Sequence, residues 1–242
     1  MLTKPSNTVL YFAPHQDDEL LSMGIDIASS VKNGYDVHVI VVTDGASSNV
    51  RLRLGNREFC EQCHTQHVYD LTKEDFTATR DQELFGCCDA LGVKRENVHF
   101  PDERIVDGNI TLDRAKEIIK DFVARIDPEC TVCTIHPNKP EAHHRDHRTL
   151  GLAAVELYKE GVVKHLVTME EPYVAVEVDH DPGEEPTVYY APDDIAKQIE
   201  EAVKSYFLFD PKNKRYAVGF HSVPREMNQL ITEKGLYYHT YE

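Results

Sequence analysis

The sequence predicts an α/β fold, a three-layer sandwich around a mostly parallel sheet. Three observations carry this. Thr8–Ala13, Val37–Thr43 and Cys130–His136 are short, continuous apolar runs, the pattern of strands buried on both faces. Amphipathic stretches alternate with them. The first three segments read strand, helix, strand, a βαβ unit whose crossover is right-handed in a parallel sheet.

The opening strand, Thr8–Ala13, is stopped by Pro14. Asp17, Asp18 and Glu19 suit a helix start, where carboxylates meet the positive end of the dipole. Leu20, Leu21, Ile25, Ile27, Ala28 and Val31 continue it as one apolar stripe, which Asn33-Gly34 ends. The second strand ends in Thr43-Asp44-Gly45. Residues 46–79 are polar and weakly periodic; they read as a long excursion over the mouth of a site, with a short helix around Asn56–Gln62. Thr79–Leu91 reads as a helix stopped by Gly92, and Asn97–Phe100 as a short strand before Pro101-Asp102. Leu112–Ile126 is amphipathic through Ala115, Ile118, Ile119, Phe122, Val123 and Ile126. After the strand Cys130–His136 come a polar cluster and a helix from about His147 to Lys159. Val163–Met169 is a further strand, Tyr173–Val178 a candidate for another, and Asp179–Pro186 an acidic loop. Asp193–Phe207 and Arg225–Lys234 read as helices.

The 242 residues suit a single domain over 1–242, with a core at about 8–170 and a C-terminal elaboration at about 171–242. A hydrophobic content of 41% is enough for a core without cross-links. The net charge of -16 argues against nucleic acid and anionic membranes as partners. Residues Met1–Asn7 show no apolar signal region, and no run is long enough to span a bilayer. The expectation is a cytoplasmic protein with its six cysteines reduced; oligomeric state is left open.

Polar clusters follow several strands, which is where open α/β sheets bind ligands. His15 and Asp18 sit three apart at a strand-to-helix turn and can converge on one point. His147 can supply a third ligand from a neighbouring strand end. Two imidazoles and a carboxylate are a catalytic-zinc donor set that leaves room for water. Asp17, beside Asp18, is then placed to accept a proton from that water. The plain alternative is an acidic helix start and solvated loop histidines; two such clusters, both after strands, count against it.

Ala13-Pro14-His15-Gln16-Asp17-Asp18-Glu19 with His144-Arg145-Asp146-His147 resembles the PIG-L/LmbE-like N-deacetylases, whose signatures are Ala-His-Pro-Asp-Asp-Glu and His-x-x-Asp-His. Thr43-Asp44-Gly45, Arg80-x-x-Glu83 with Leu91-Gly92, and Pro101-Asp102 resemble further family features, over roughly residues 8–158. The resemblance implies a Rossmann-like fold and zinc-dependent removal of an N-acetyl group, usually from a glucosamine derivative. It implies His15, Asp18 and His147 as metal ligands and Asp17 as general base. It implies His144 as oxyanion stabiliser and Asp146 as the residue orienting a histidine ring. Arg80 and Asp102, with Asp44, fall at substrate-contact positions. Gln16 departs from the family's proline, and the long 46–79 excursion puts sugar specificity in question. The alternative substrate is a non-sugar N-acyl amine. Zinc is the preferred ion, though such sites also take Fe(II).

Other motifs rank lower. Cys60-x-x-Cys63-His64 has the pattern of a c-type haem attachment, disfavoured without an export signal. A structural zinc on Cys60, Cys63 and His64 or His67 fits by ligand type but is weak as a lone Cys-x-x-Cys. Cys87, Cys88, Cys130 and Cys133 read as core residues. His136 is a candidate to line the pocket or to serve the structure at a strand end, His143 is an alternative ligand or pocket residue, and His221 and His239 could reach the site from the C-terminal part.

Overall fold

The computed structural model describes residues 2–137, 145–172, 175 and 185–241. It opens with β1 (Thr8–Ala13), α1 (Asp18–Leu21), α2 (Gly24–Lys32) and β2 (Asp36–Val41). The one helix expected over 17–31 is two, broken at Ser22-Met23. The break lets Leu20, Met23 and Ile25 all turn inward, each at most 2% exposed. It also packs Gly24 so tightly that a Cβ there would lie 2.9 Å from the Leu20 side chain.

The excursion holds α3 (Asn49–Gly55), the antiparallel hairpin β3 (Phe59–Cys60) and β4 (Thr65–Gln66), and the start of α4 (Lys73–Ala90). The helix expected near Asn56–Gln62 lies earlier because Ser48 caps it, accepting from the Val50 N–H. The following helix starts at Lys73, not Thr79, because Thr72 accepts the Asp75 N–H at 3.0 Å. Then come β5 (Val98–His99), α5 (Leu112–Ile126, as the periodicity predicts), β6 (Thr131–Ile135), α6 (Arg145–Lys159) and β7 (His165–Glu170). The C-terminal part adds β8 (Thr187–Tyr190), α7 (Asp193–Phe207), β9 (Phe209–Asp210), β10 (Arg215–Tyr216), α8 (Val218–Ser222), α9 (Pro224–Glu233) and β11 (Gly235–Thr240). The candidate strand at 173–178 falls mostly outside the described residues; its Ala175 is helical and donates its N–H to the Glu171 carbonyl. Most of the acidic loop at 179–186 also lies outside them.

The central sheet runs β5-β2-β1-β6-β7-β11-β8. Its first five strands are parallel, and β11 pairs antiparallel with both β7 and β8. β1 feeds both faces. Val9, Tyr11 and Ala13 pack into a core with α2, α4, α7 and α9, whereas Leu10 and Phe12 pack against α5 and α6. Burial on both sides explains why this strand reads as a continuous apolar run. A smaller third cluster, Val50, Leu54, Phe76, Tyr216 and Val218, joins the excursion to the C-terminal part.

One polar network crosses the first core. Lys4 Nζ donates to Asp26 Oδ1 at 2.8 Å and Ser30 Oγ at 2.9 Å, and the Tyr11 hydroxyl donates to Asp26 Oδ2 at 2.7 Å. Lys4 and Asp26 are 5% and 1% exposed. Removing one partner strands a buried charge. Asp26→Ala should therefore lose about 3–5 kcal/mol in urea unfolding; a loss under about 1 kcal/mol, the range of exposed pairs, would contradict this account.

Candidate active site

The chain leaves β1 for β2 and β5 on one side, then returns to β6 and β7 on the other. The carboxyl ends of β1 and β6 therefore flank a topological switch point, where open α/β sheets form a crevice. His15 follows β1 after Pro14 alone. The first turn of α6, the helix after β6, brings Asp146 and His147 to the same place.

There the sequence-predicted triad assembles. His15 Nδ1 lies 3.0 Å from Asp18 Oδ2 and 3.2 Å from His147 Nε2, and His147 Nε2 lies 3.2 Å from Asp18 Oδ2. His15, Asp18 and His147 are 6%, 2% and 2% exposed. The Asp18 carboxylate also accepts the His15 backbone N–H at 2.9 Å, closing the turn. His15 turns its other nitrogen away: Nε2 is 3.1 Å from Asp107 Oδ1 and 3.5 Å from Asp146 Oδ2. A proton on Nε2 facing carboxylates leaves the Nδ1 lone pair aimed at Asp18 and His147, the arrangement of a metal-ligating imidazole. Asp107 and Asp146 with His15 form a competing donor group. Those two acids are already engaged by backbone: Asp146 accepts the Gly108 and Ile110 N–H groups, and Asp107 the Ser47 N–H. Of these two groups, His15, Asp18 and His147 is the one with two imidazoles and one carboxylate, the donor set of a catalytic zinc.

The charges respond to this crowding. Burial works against a charged His15, yet Asp107, Asp146 and Asp18 together hold it well above its usual value. Burial works against Asp18 too, but His147 and His15 hold its carboxyl well below the usual range. Asp17 differs: burial pushes it up to about 8, against the pull of Arg80.

Asp17 is held apart from its neighbour by backbone. Its φ of 117° is a conformation that non-glycine residues rarely adopt. The strain is compensated on both sides, because its N–H donates to Glu19 Oε2 at 2.9 Å and its carbonyl accepts from Leu20 and Leu21. Arg80 Nη2 reaches Asp17 Oδ2 at 3.1 Å and also donates to the Gln16 carbonyl; Nη1 donates to the Gly45 carbonyl at 3.0 Å. Arg80 is 5% exposed. This geometry favours positioning of Asp17 over the substrate contact expected from sequence. Asp44 is similarly committed, its Oδ1 accepting the Ala46 and Asp107 N–H groups. Asp102 is exposed on the loop after β5. His143 and His144 lie outside the described residues. His136 and His239 stack at 3.9 Å, with His239 Nε2 2.7 Å from Glu170 Oε1. Gln16 donates to Asp81 Oδ1, which Arg104 also holds.

Sequence reasoning missed Asp107. It arrives because Ile105 extends the sheet edge, pairing with Val42 and Asp44 by backbone hydrogen bonds. The only signal in the sequence is an acid beside a glycine in a loop, Asp107-Gly108.

Fold and site together define an α/β protein with a histidine–carboxylate centre at the switch point of its sheet. The chain belongs to the PIG-L family: the family model described as GlcNAc-PI de-N-acetylase matches residues 10–158. No curated protein matches the chain. Among solved structures, a triple mutant of a deacetylase of the teicoplanin biosynthetic pathway is 18% identical, with a TM-score of 0.66, covering 97% of this chain and 99% of that one. The N,N'-diacetylchitobiose deacetylase from Pyrococcus horikoshii is 17% identical, with a TM-score of 0.62 and coverage of 98% and 84%. The 4-carboxy-2-hydroxymuconate hydratase from Pseudomonas putida is 15% identical, with a TM-score of 0.58 and coverage of 97% and 96%. At these identities the likeness establishes the fold.

Arg80→Gln should leave metal content unchanged while turnover falls about tenfold or more, as expected when a reacting group loses its orientation. Equal turnover in the variant, measured beside its bound metal, would remove Arg80 from the site.

Proposed function

We propose that this chain is a zinc-dependent hydrolase that removes an N-acetyl group from an N-acetylglucosamine-type sugar derivative, releasing acetate and a free amine. The observation that carries this is the convergence of His15 Nδ1, Asp18 Oδ2 and His147 Nε2 beside Asp17. Membership of the family described as GlcNAc-PI de-N-acetylase, and fold neighbours that include a diacetylchitobiose deacetylase, support the sugar amide as substrate.

In this reading His15, Asp18 and His147 hold the ion. Bound there, zinc supplies Lewis-acid polarisation of the amide carbonyl and acidification of a water to a pKa of about 7. Asp17 takes a proton from the attacking water and returns it to the departing amine nitrogen. Arg80 and the strained turn fix where that carboxylate points. Asp107 and Asp146 hold the His15 ring through Nε2. His144 keeps the oxyanion-stabilising role that family resemblance gives it. Asp102, exposed on the loop after β5, keeps the substrate-contact role that family resemblance gives it. No helix among the described residues is long and apolar enough to cross a membrane.

Acetate release is the direct test. N-acetylglucosamine derivatives should be cleaved in preference to simple N-acyl amines, and chelation should abolish turnover that added zinc restores. Preference for the simple amides would shift the substrate class, and turnover unaffected by chelation would overturn the metal's role. Asp17→Asn should keep its metal while turnover drops by about 10²–10⁴, the usual worth of a general base. Full activity in that metal-loaded variant would dismiss Asp17 as the base.

A further inference from the structure

A second group of ligand-type side chains lies outside the active site. Cys60 ends β3, and Cys63 and His64 lie in the turn before β4, with His64 in the left-handed region at φ 50°. Cys60 and Thr65 are directly opposed in the hairpin, so Cys60 sits at the mouth of the tight turn that carries Cys63. His67 follows β4 immediately. His221 comes from α8, far along the chain. The Cys63 Sγ and His67 Nε2 atoms each lie 3.1 Å from His221 Nε2, and the ligand atoms of Cys60, Cys63, His67 and His221 all lie within 4.8 Å of one another. A tetrahedral zinc with bonds of about 2.0–2.3 Å sets its ligands roughly 3.3–3.8 Å apart. Small side-chain shifts connect the two geometries.

His221 is prepared for such a role. Its Nδ1 lies 2.7 Å from the Ala217 carbonyl, which can only accept. Nδ1 must therefore carry the proton, and the lone pair on Nε2 points into the cluster. Ordinary hydrogen bonding satisfies this arrangement poorly, because Cys63 and His67 both crowd that single lone pair. Both histidines are 3% exposed, and Phe209 covers the His67 ring at 5.2 Å. The backbone around them is anchored: Arg53 donates to the His221 carbonyl at 3.0 Å, and Gln62 to the Phe220 carbonyl at 3.4 Å.

We propose that Cys60, Cys63, His67 and His221 form a structural site for one tetrahedral zinc ion, separate from the active-site triad. Two sulfurs and two imidazoles fill the coordination sphere and leave no position for water, which assigns the site to structure and not to catalysis. The ion clamps the excursion hairpin onto α8. The N–H groups of Val218 and Gly219 at the start of α8 rest on Glu83 of α4, one turn from Arg80. The clamp thus braces the same helix that positions Asp17.

Cobalt(II) substitution of the full, reduced chain tests this. The triad contains no sulfur, so sulfur-to-cobalt charge-transfer absorption reports this site alone. The expected result is that absorption in the wild-type chain, together with one fewer bound ion per chain and a lower unfolding temperature in the Cys60→Ser/Cys63→Ser variant. Absence of charge transfer in the wild-type chain, or a Cys60–Cys63 disulfide in the isolated protein, overturns the proposal. The wild-type spectrum decides the matter even if the variant fails to fold. An active deacetylase without thiolate-bound metal would refute this site alone and leave the catalytic reading standing.

Discussion

Burying several acids side by side is the constraint on which the rest of this structure depends. A carboxylate taken out of water must be met by specific partners. Here each acid behind the strand ends has its own. Asp18 has two imidazoles, Asp17 has Arg80, and Asp146 has two backbone N–H groups. Glu19 has the Tyr206 hydroxyl and the Asp17 N–H, and Glu83 caps α8. Those partners come from α4, α6, α7 and α8. The local turn at His15–Asp18, with its strained Asp17, is thus held by its own backbone hydrogen bonds and by partners from distant elements together.

Much of this was legible in the sequence where the cause is local. The apolar faces of Leu112–Ile126 and Asp193–Phe207 repeat at helical spacing because each packs on a core, and both helices lie where that spacing puts them. The triad was legible because His15 and Asp18 are neighbours across one turn and His147 opens a helix. Contacts made across the chain left weaker traces. Asp107 reaches His15 only through the sheet-edge pairing of Ile105, and nothing near it in sequence encodes that pairing. The hairpin at 59–66 has strands of two residues each, too short for any period to show. β8 is mostly exposed, so its alternation is faint. His221 meets the Cys-x-x-Cys turn in space but lies far from it in the chain, and no spacing in the sequence signals that contact.

α4 emerges as the spine that links catalysis to periphery. One turn presents Arg80 to Asp17 and Glu83 to α8, while Thr77 donates to the Asp44 carbonyl at 2.8 Å. Gly45 shows how little slack the arrangement has. At φ 63° it passes so close that a Cβ would lie 2.3 Å from Gln16 Oε1 and 2.7 Å from Arg80 Nη1. Glycine is needed there for both conformation and space.

The order of strands carries a consequence for how the molecule is made. β11 lies between β7 and β8, yet it is synthesised after both. As the nascent chain leaves the ribosome, β7 has an unpaired edge and β8 has no neighbour to join. The parallel half can assemble early, but the sheet closes only when the final strand slots into the gap. Until then β7 offers an open template to any other extended chain.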